Sequence, residues 1–367
     1  MPTLAATEDV SFYYTDSGAP LSPTYTTIVI IHGHTWHSAV FDRVLPLARA
    51  HNLRLVCVNR RLYPGSTPYT PEEAAEIASD DPSRVLASQG VLLARFIARL
   101  PAALQLPRPR HGRAGGMMLA GWSLGTLFVQ LTLSAIDAVD EATRNILRTY
   151  VRGIVLWDTP SPFLGIDPPN DYNPFTDERV PPEGRLMLFL RWVSGYYTHD
   201  AAARTLCYER PDADLTPSVE RMPDLLALTE PAASAGGDTA LVDPALIPLM
   251  RRITAGALLD PQLHRRWGGL EIKCITGSRS VWNIVLAAWQ VEDMAKKAGV
   301  RVEVKMIPNA NHFVMWDAPE DAMRALLECC GTSRLRKAHK HFQSTSHTIV
   351  QHRKFSWRRG RVSMEVA

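Results

Sequence analysis

Two spacings of apolar residues alternate along most of the chain. Uninterrupted apolar runs occur at Thr26–Ile31, Leu53–Val58 and Val151–Asp158, and a shorter one leads from Gly116 into Gly121. Runs of this length, rich in Val, Ile and Leu and lacking a polar face, predict strands buried on both sides. Residues 10–15 predict an earlier strand, closed by the turn Asp16-Ser17-Gly18-Ala19-Pro20. Between the runs, apolar residues three and four apart predict helices at 41–50, at 83–100 between Pro82 and Pro101, and from just after Ser123 through Leu133. The same order returns late in the chain. Strands are expected at 270–277 and 302–307, and helices at 284–298 and 319–329. The pattern predicts an α/β fold class, with a mostly parallel sheet and helices on both faces.

The alternation breaks after Thr159. Residues 160–250 hold 13 of the 27 prolines and few β-branched runs, with helical spacing only near 185–197 and 244–259. An insertion between late strands falls over the carboxyl edge of the sheet, where open α/β folds bind ligands. It therefore reads as a cap. The expected organisation is a core in two parts, residues 1–159 and 266–331, a cap or lid at 160–265, and a tail at 332–367.

Composition adds exclusions. An apolar content of 46% over 367 residues fits a globular protein with a large core. No apolar run reaches transmembrane length, and residues 1–9 lack the basic and apolar regions of a signal peptide, so a cytoplasmic location is expected. Five cysteines, odd in number and mostly within strand-like runs, argue against a disulfide framework. The net charge of +3 belongs to the tail: residues 331–367 carry nine Lys/Arg against Glu365, and the rest nets −5. The run Arg358-Arg359-Gly360-Arg361 is of a kind that contacts nucleic acid or an anionic membrane. Its polarity equally fits a disordered appendage that cannot offset its ordering entropy.

The chemistry centres on Gly121-Trp122-Ser123-Leu124-Gly125. A Gly-x-Ser-x-Gly between a strand and a helix is the pattern of a nucleophile elbow, in which a sharp turn lifts the serine into the open at a helix N-terminus. His32-Gly33-His34 ends an early strand, Asp158 ends the strand after the elbow helix, and His312 lies in Asn309-Ala310-Asn311-His312-Phe313 after the last strand. A serine hydroxyl needs an adjacent base, and the base needs a carboxylate to fix its tautomer.

Over residues 10–330, this combination resembles the α/β-hydrolase superfamily, in its capped esterase, lipase and peptidase-like branch. The resemblance implies a serine hydrolase that forms an acyl-enzyme on Ser123, with His312 as base and the N–H groups of His34 and Leu124 as oxyanion donors. Relatives usually carry the acid after the strand ending at Gly277, where this chain has Ser280; some families place it one core strand earlier, at the position of Asp158. Asp158 is the expected acid, with a strand-end cap as the competing reading. Asp317, five residues after His312, is expected to cap the last helix. The missing late acid also motivates an alternative function, a non-catalytic ligand-binding or interaction protein with a degenerate triad.

Other features carry blander expectations. His32, His34 and His37 lack metal-ligand spacing and thiol or carboxylate partners, so no metal or cofactor is expected. Trp36 and Trp122 flank the oxyanion donors and are expected to line an apolar substrate pocket, with Trp282 and Trp316 in the core. Arg60-Arg61 is expected to be a solvated pair. A small hydrophobic molecule is the expected partner, and its identity as ester, thioester or amide stays open, as does the oligomeric state.

Overall fold

A computed structural model describes residues 2–110, 114–170, 172–208, 210–233 and 237–331, so the basic tail lies outside the described residues. Eight strands form one sheet: β1 (Thr3–Ala5), β2 (Ser11–Asp16), β3 (Thr26–Ile31), β4 (Leu53–Val58), β5 (Met117–Trp122), β6 (Val151–Trp157), β7 (Glu271–Gly277) and β8 (Val302–Ile307). Their order is β1-β2-β4-β3-β5-β6-β7-β8. The pairings β1 with β2 and β2 with β4 are antiparallel, and the others are parallel. Every residue of β3, β4 and β5 is buried, as their lack of a polar face requires.

Register sets the site. Ile31 pairs with Gly121, Trp122 with Trp157, and Gly277 with Ile307. The loops that begin at His32, Ser123, Asp158, Ser278 and Pro308 therefore all leave one edge of the sheet, its carboxyl edge.

Helix Ser83–Ala103 packs on helix Gly125–Ser134, and it runs past Pro101 because a proline in the last turn removes only one backbone bond. It is the one helix among the described residues long and apolar enough to cross a membrane, contrary to the sequence expectation, and it is mostly buried within the domain. The helix expected at 41–50 is two 3₁₀ segments, Ser38–Phe41 and Leu45–His51; Pro46 interrupts the amide ladder and Asn52, left-handed at φ 59°, ends it. Several helices were not anticipated, two of them before β6. Pro71–Ile77 is set by a capping box between Thr70 and Glu73, and Glu141–Tyr150 by the Asp140 side chain on the Thr143 N–H. Between β6 and β7 the chain forms helices Pro182–Val193, Ile247–Ala257 and Pro261–Arg266, with a long, mostly irregular stretch between the first two and a short turn between the last two.

The elbow depends on its glycines. Ser123 stands at φ 55°, a left-handed conformation costly for a residue with a side chain. A β-carbon on Gly125 would lie 2.1 Å from the Ile31 carbonyl oxygen, and one on Gly121 would lie 2.5 Å from the Thr126 nitrogen. The helix can thus approach β3 only without side chains there. Gly125→Ala is expected to cost about 2–3 kcal/mol or more through overpacking against rigid backbone, measured by urea unfolding; a variant as stable as the parent would contradict this close approach.

Candidate active site

Ser123 continues the ladder of β5, its N–H donating to the Trp157 carbonyl at 2.9 Å, while its own carbonyl accepts from Thr126 at 3.0 Å. The chain is thereby bonded to the sheet on one side of the serine and to the helix on the other. The N–H of Leu124, at the start of that helix, meets no carbonyl among the described residues. Such orphan N–H groups at helix starts favour negative charge.

Asp158 and His312 meet. Asp158 Oδ2 lies 3.2 Å from His312 Nδ1, and both side chains are buried. The carboxylate also accepts from the Gly277 N–H at 2.8 Å and from the Ser280 hydroxyl at 3.2 Å. Ser280 thus donates to the residue that follows β6, the neighbouring strand. With Nδ1–H directed at Asp158, His312 presents Nε2 as an acceptor. The imidazole is clamped on its other face: Trp122 stacks on it at 4.7 Å between centroids, and Trp122 Nε1 donates to the His312 carbonyl at 3.1 Å. Trp122 is bonded directly to Ser123, so one residue links the serine to the histidine.

The His32–Trp36 loop is held by Arg60, one of two arginines expected to be at the surface. Arg60 and Arg61 are 2% and 3% exposed, which overturns the solvated pair. Arg61 forms a forked pair with Glu73 of the capping box, at 2.6 and 2.8 Å. Arg60 donates to the carbonyls of Gly33 (2.8 Å) and His32 (3.3 Å) and forks onto Asp238 at 2.8 and 2.6 Å. Nothing in the sequence paired Arg60 with Asp238: 178 residues separate them, and each looks like a loop charge. The ring of His32 is also occupied by protein groups. Its Nε2 accepts the Arg60 N–H at 3.0 Å, which leaves Nδ1–H to donate to the Gly33 carbonyl at 2.9 Å.

A cavity of about 190 Å³ opens at Ser123 and His34. Its wall is apolar and aromatic, with Phe163, Phe175, Phe189 and Trp192 from the segment between β6 and β7 and Trp282 from the opposite side. Trp36 and Trp122, expected to line it, do not. Both are 1% exposed and pack beneath the site, Trp36 against Phe313 at 4.6 Å, because the loop folds their rings into the core. Trp282 lines the cavity instead of serving the core alone. The signal for Phe175, Phe189 and Trp192 was present only as aromatic content in an irregular segment.

Asp317 does not cap the last helix, whose N-cap is Ala318. Its Oδ2 instead gathers the Tyr196 hydroxyl (2.6 Å), the Ser218 hydroxyl (2.5 Å) and Arg221 (2.5 Å). Asn311, beside His312, donates to Ser218 Oγ and to the Ser194 carbonyl, both at 2.7 Å. The histidine loop is thereby bonded to the segment between β6 and β7.

Residues 28–326 match the model of the Alpha/beta hydrolase family. No curated protein sequence matches the chain. Among solved structures, it is similar to a bromoperoxidase from Bacillus anthracis at 15% identity and a TM-score of 0.46, over 89% of this chain and 98% of that one. It is also similar to an esterase from Exiguobacterium antarcticum (14%, 0.48, 90% and 100%) and a thermophilic esterase from Thermogutta terrifontis (15%, 0.46, 92% and 100%).

Burial dominates the titration of the histidines around the site. It pushes His34 down to about 4 and His32 well below the usual imidazole value, and it lowers His37, His199 and His264 as well. As pH falls through about 6.5 the unfolded chain takes up protons on these rings while the folded chain does not, so stability drops with falling pH. His34 alone accounts for on the order of 3 kcal/mol between pH 7 and pH 4. The expected outcome is a melting temperature that falls steadily from pH 7 to pH 4.5 in thermal denaturation; a flat profile would show that these rings are not held neutral.

Proposed function

The chain belongs to the alpha/beta hydrolase family, and we propose that it is a serine hydrolase cleaving a carboxylic ester, thioester or amide of a neutral hydrophobic substrate. The observation that carries this reading is the Asp158–His312 contact, with the imidazole stacked on Trp122, the neighbour of a serine that opens into an apolar cavity. In this reading Ser123 Oγ attacks the substrate carbonyl and His312 Nε2 takes its proton. Asp158 keeps the proton on Nδ1 and stabilises the imidazolium that forms. The oxyanion is received by the N–H groups of Leu124 and His34. His312 then returns the proton to the leaving alcohol, thiol or amine. Water, deprotonated by the same ring, attacks the acyl-enzyme and releases the acid.

Residues 160–265 act as the cap. Phe175, Phe189 and Trp192 from this segment line the cavity together with Ser123, and no Asp, Glu, Lys or Arg lines it among the described residues. A charged acyl or alcohol group would lose its hydration there without a partner, which favours uncharged, apolar substrates.

A fluorophosphonate probe is expected to label Ser123 and to leave Ser123→Ala unlabelled. Unlabelled folded protein that still binds an apolar ligand would favour a non-catalytic binder. Asp158→Asn is expected to lower kcat on a p-nitrophenyl ester by about 10⁴, the scale set by serine proteases that lose the triad acid. A rate near that of the parent would remove Asp158 from the mechanism.

A further inference from the structure

The deepest charge pair outside the proposed triad joins the segment between β6 and β7 to the oxyanion loop. Asp238 is 2% exposed and belongs to that segment, whereas Arg60 follows β4. Arg60 cannot shed its charge, and at this depth it stays only while a carboxylate compensates it. Its remaining donors hold the carbonyls of His32 and Gly33. Tyr63 adds a second link. Its hydroxyl donates to Asp238 Oδ2 at 2.5 Å and accepts the Thr35 N–H at 3.0 Å. Thr35 needs such a restraint, since it stands at φ 68°. The contact continues along the same segment: the Glu230 N–H donates to the Thr35 carbonyl at 2.8 Å, and the His37 N–H donates to the Leu228 carbonyl at 3.2 Å.

We propose that Asp238 is a positioning residue: through Arg60 and Tyr63 it fixes the backbone of residues 32–35, and so the aim of the His34 N–H at the developing oxyanion. The inference rests on the serine-hydrolase reading. It makes the segment between β6 and β7 part of the machinery that stabilises the transition state, in addition to the wall of the cavity. Burial alone would raise the Asp238 carboxyl, but Arg60 outweighs it and holds the group below the usual carboxylate range, so it is charged near neutrality.

A group that acts only on the transition state changes kcat more than KM. Asp238→Asn keeps the shape and removes the charge. Its kcat on p-nitrophenyl butyrate is expected to fall by about 10²-fold, the scale of one lost oxyanion donor, with KM within about twofold of the parent. Hydrogen exchange of peptides covering residues 32–36 should accelerate in the same variant. Asp167→Asn, which breaks only the surface pair with Arg251, serves as the control with unchanged kinetics. Folded Asp238→Asn protein with kcat within threefold of the parent would overturn the proposal, even with a lowered melting temperature. Should Asp238→Asn not fold, Tyr63→Phe decides: it keeps the ion pair and frees Thr35, and is expected to lose roughly tenfold in kcat; no loss overturns the proposal. Parent protein that neither turns over the ester nor takes up a fluorophosphonate would fail the underlying reading, an outcome distinct from an active parent with an indifferent Asp238→Asn.

Discussion

A carboxylate with no exposure to water must find its donors within the protein, and the site is arranged around one such group. Asp158 receives the Gly277 N–H, the Ser280 hydroxyl and the His312 imidazole. The first donor ends β7, the second lies in the loop after it, and the third follows β8. Removing any one of these would leave a buried acceptor short, at a cost of about 1–3 kcal/mol. The anion can be satisfied only if β6, β7 and β8 end at the same level, which their parallel register provides. Sheet and site therefore constrain each other.

Much of this was legible in the residues. The β-branched runs at Thr26–Ile31 and Leu53–Val58 have no alternative to a doubly covered strand, and both form as expected. Ser123, Asp158 and His312 were singled out by chain order and by the absence of an acid near Ser280, and the fold brings Asp158 and His312 within 3.2 Å of each other. The partners of Arg60 and Asp238 were not legible. A buried charge looks like a surface charge until the fold brings its counter-ion, and sequence separation hides that event. The pocket wall escaped for a different reason. Tryptophans beside the motif attracted the assignment, yet backbone direction turns Trp36 and Trp122 inward, and the lining comes from aromatic residues in an aperiodic segment. Helix Pro71–Ile77 was missed despite a readable signal, the Thr70 and Glu73 capping box.

The segment between β6 and β7 is fastened to the core through polar contacts of two grades. Beside the His32–Thr35 loop the pair Arg60–Asp238 is dry and forked. On the histidine side Asp317 draws in Tyr196 and Ser218 together with Arg221, which is nearly half exposed. Buried pairs are costly to break and specify geometry, whereas solvent-facing ones can exchange partners with water. The Arg60–Asp238 side is therefore the more firmly specified of the two attachments.

Ser280 has one more consequence. Its hydroxyl lies 3.2 Å from the Asp158 carboxylate, and both groups are buried. An aspartate at 280 would set two anions against each other, and one would have to keep a proton. Aspartates at 158 and 280 together would carry one charge and one proton between them, whereas the present pair sets a hydroxyl donor on a lone carboxylate.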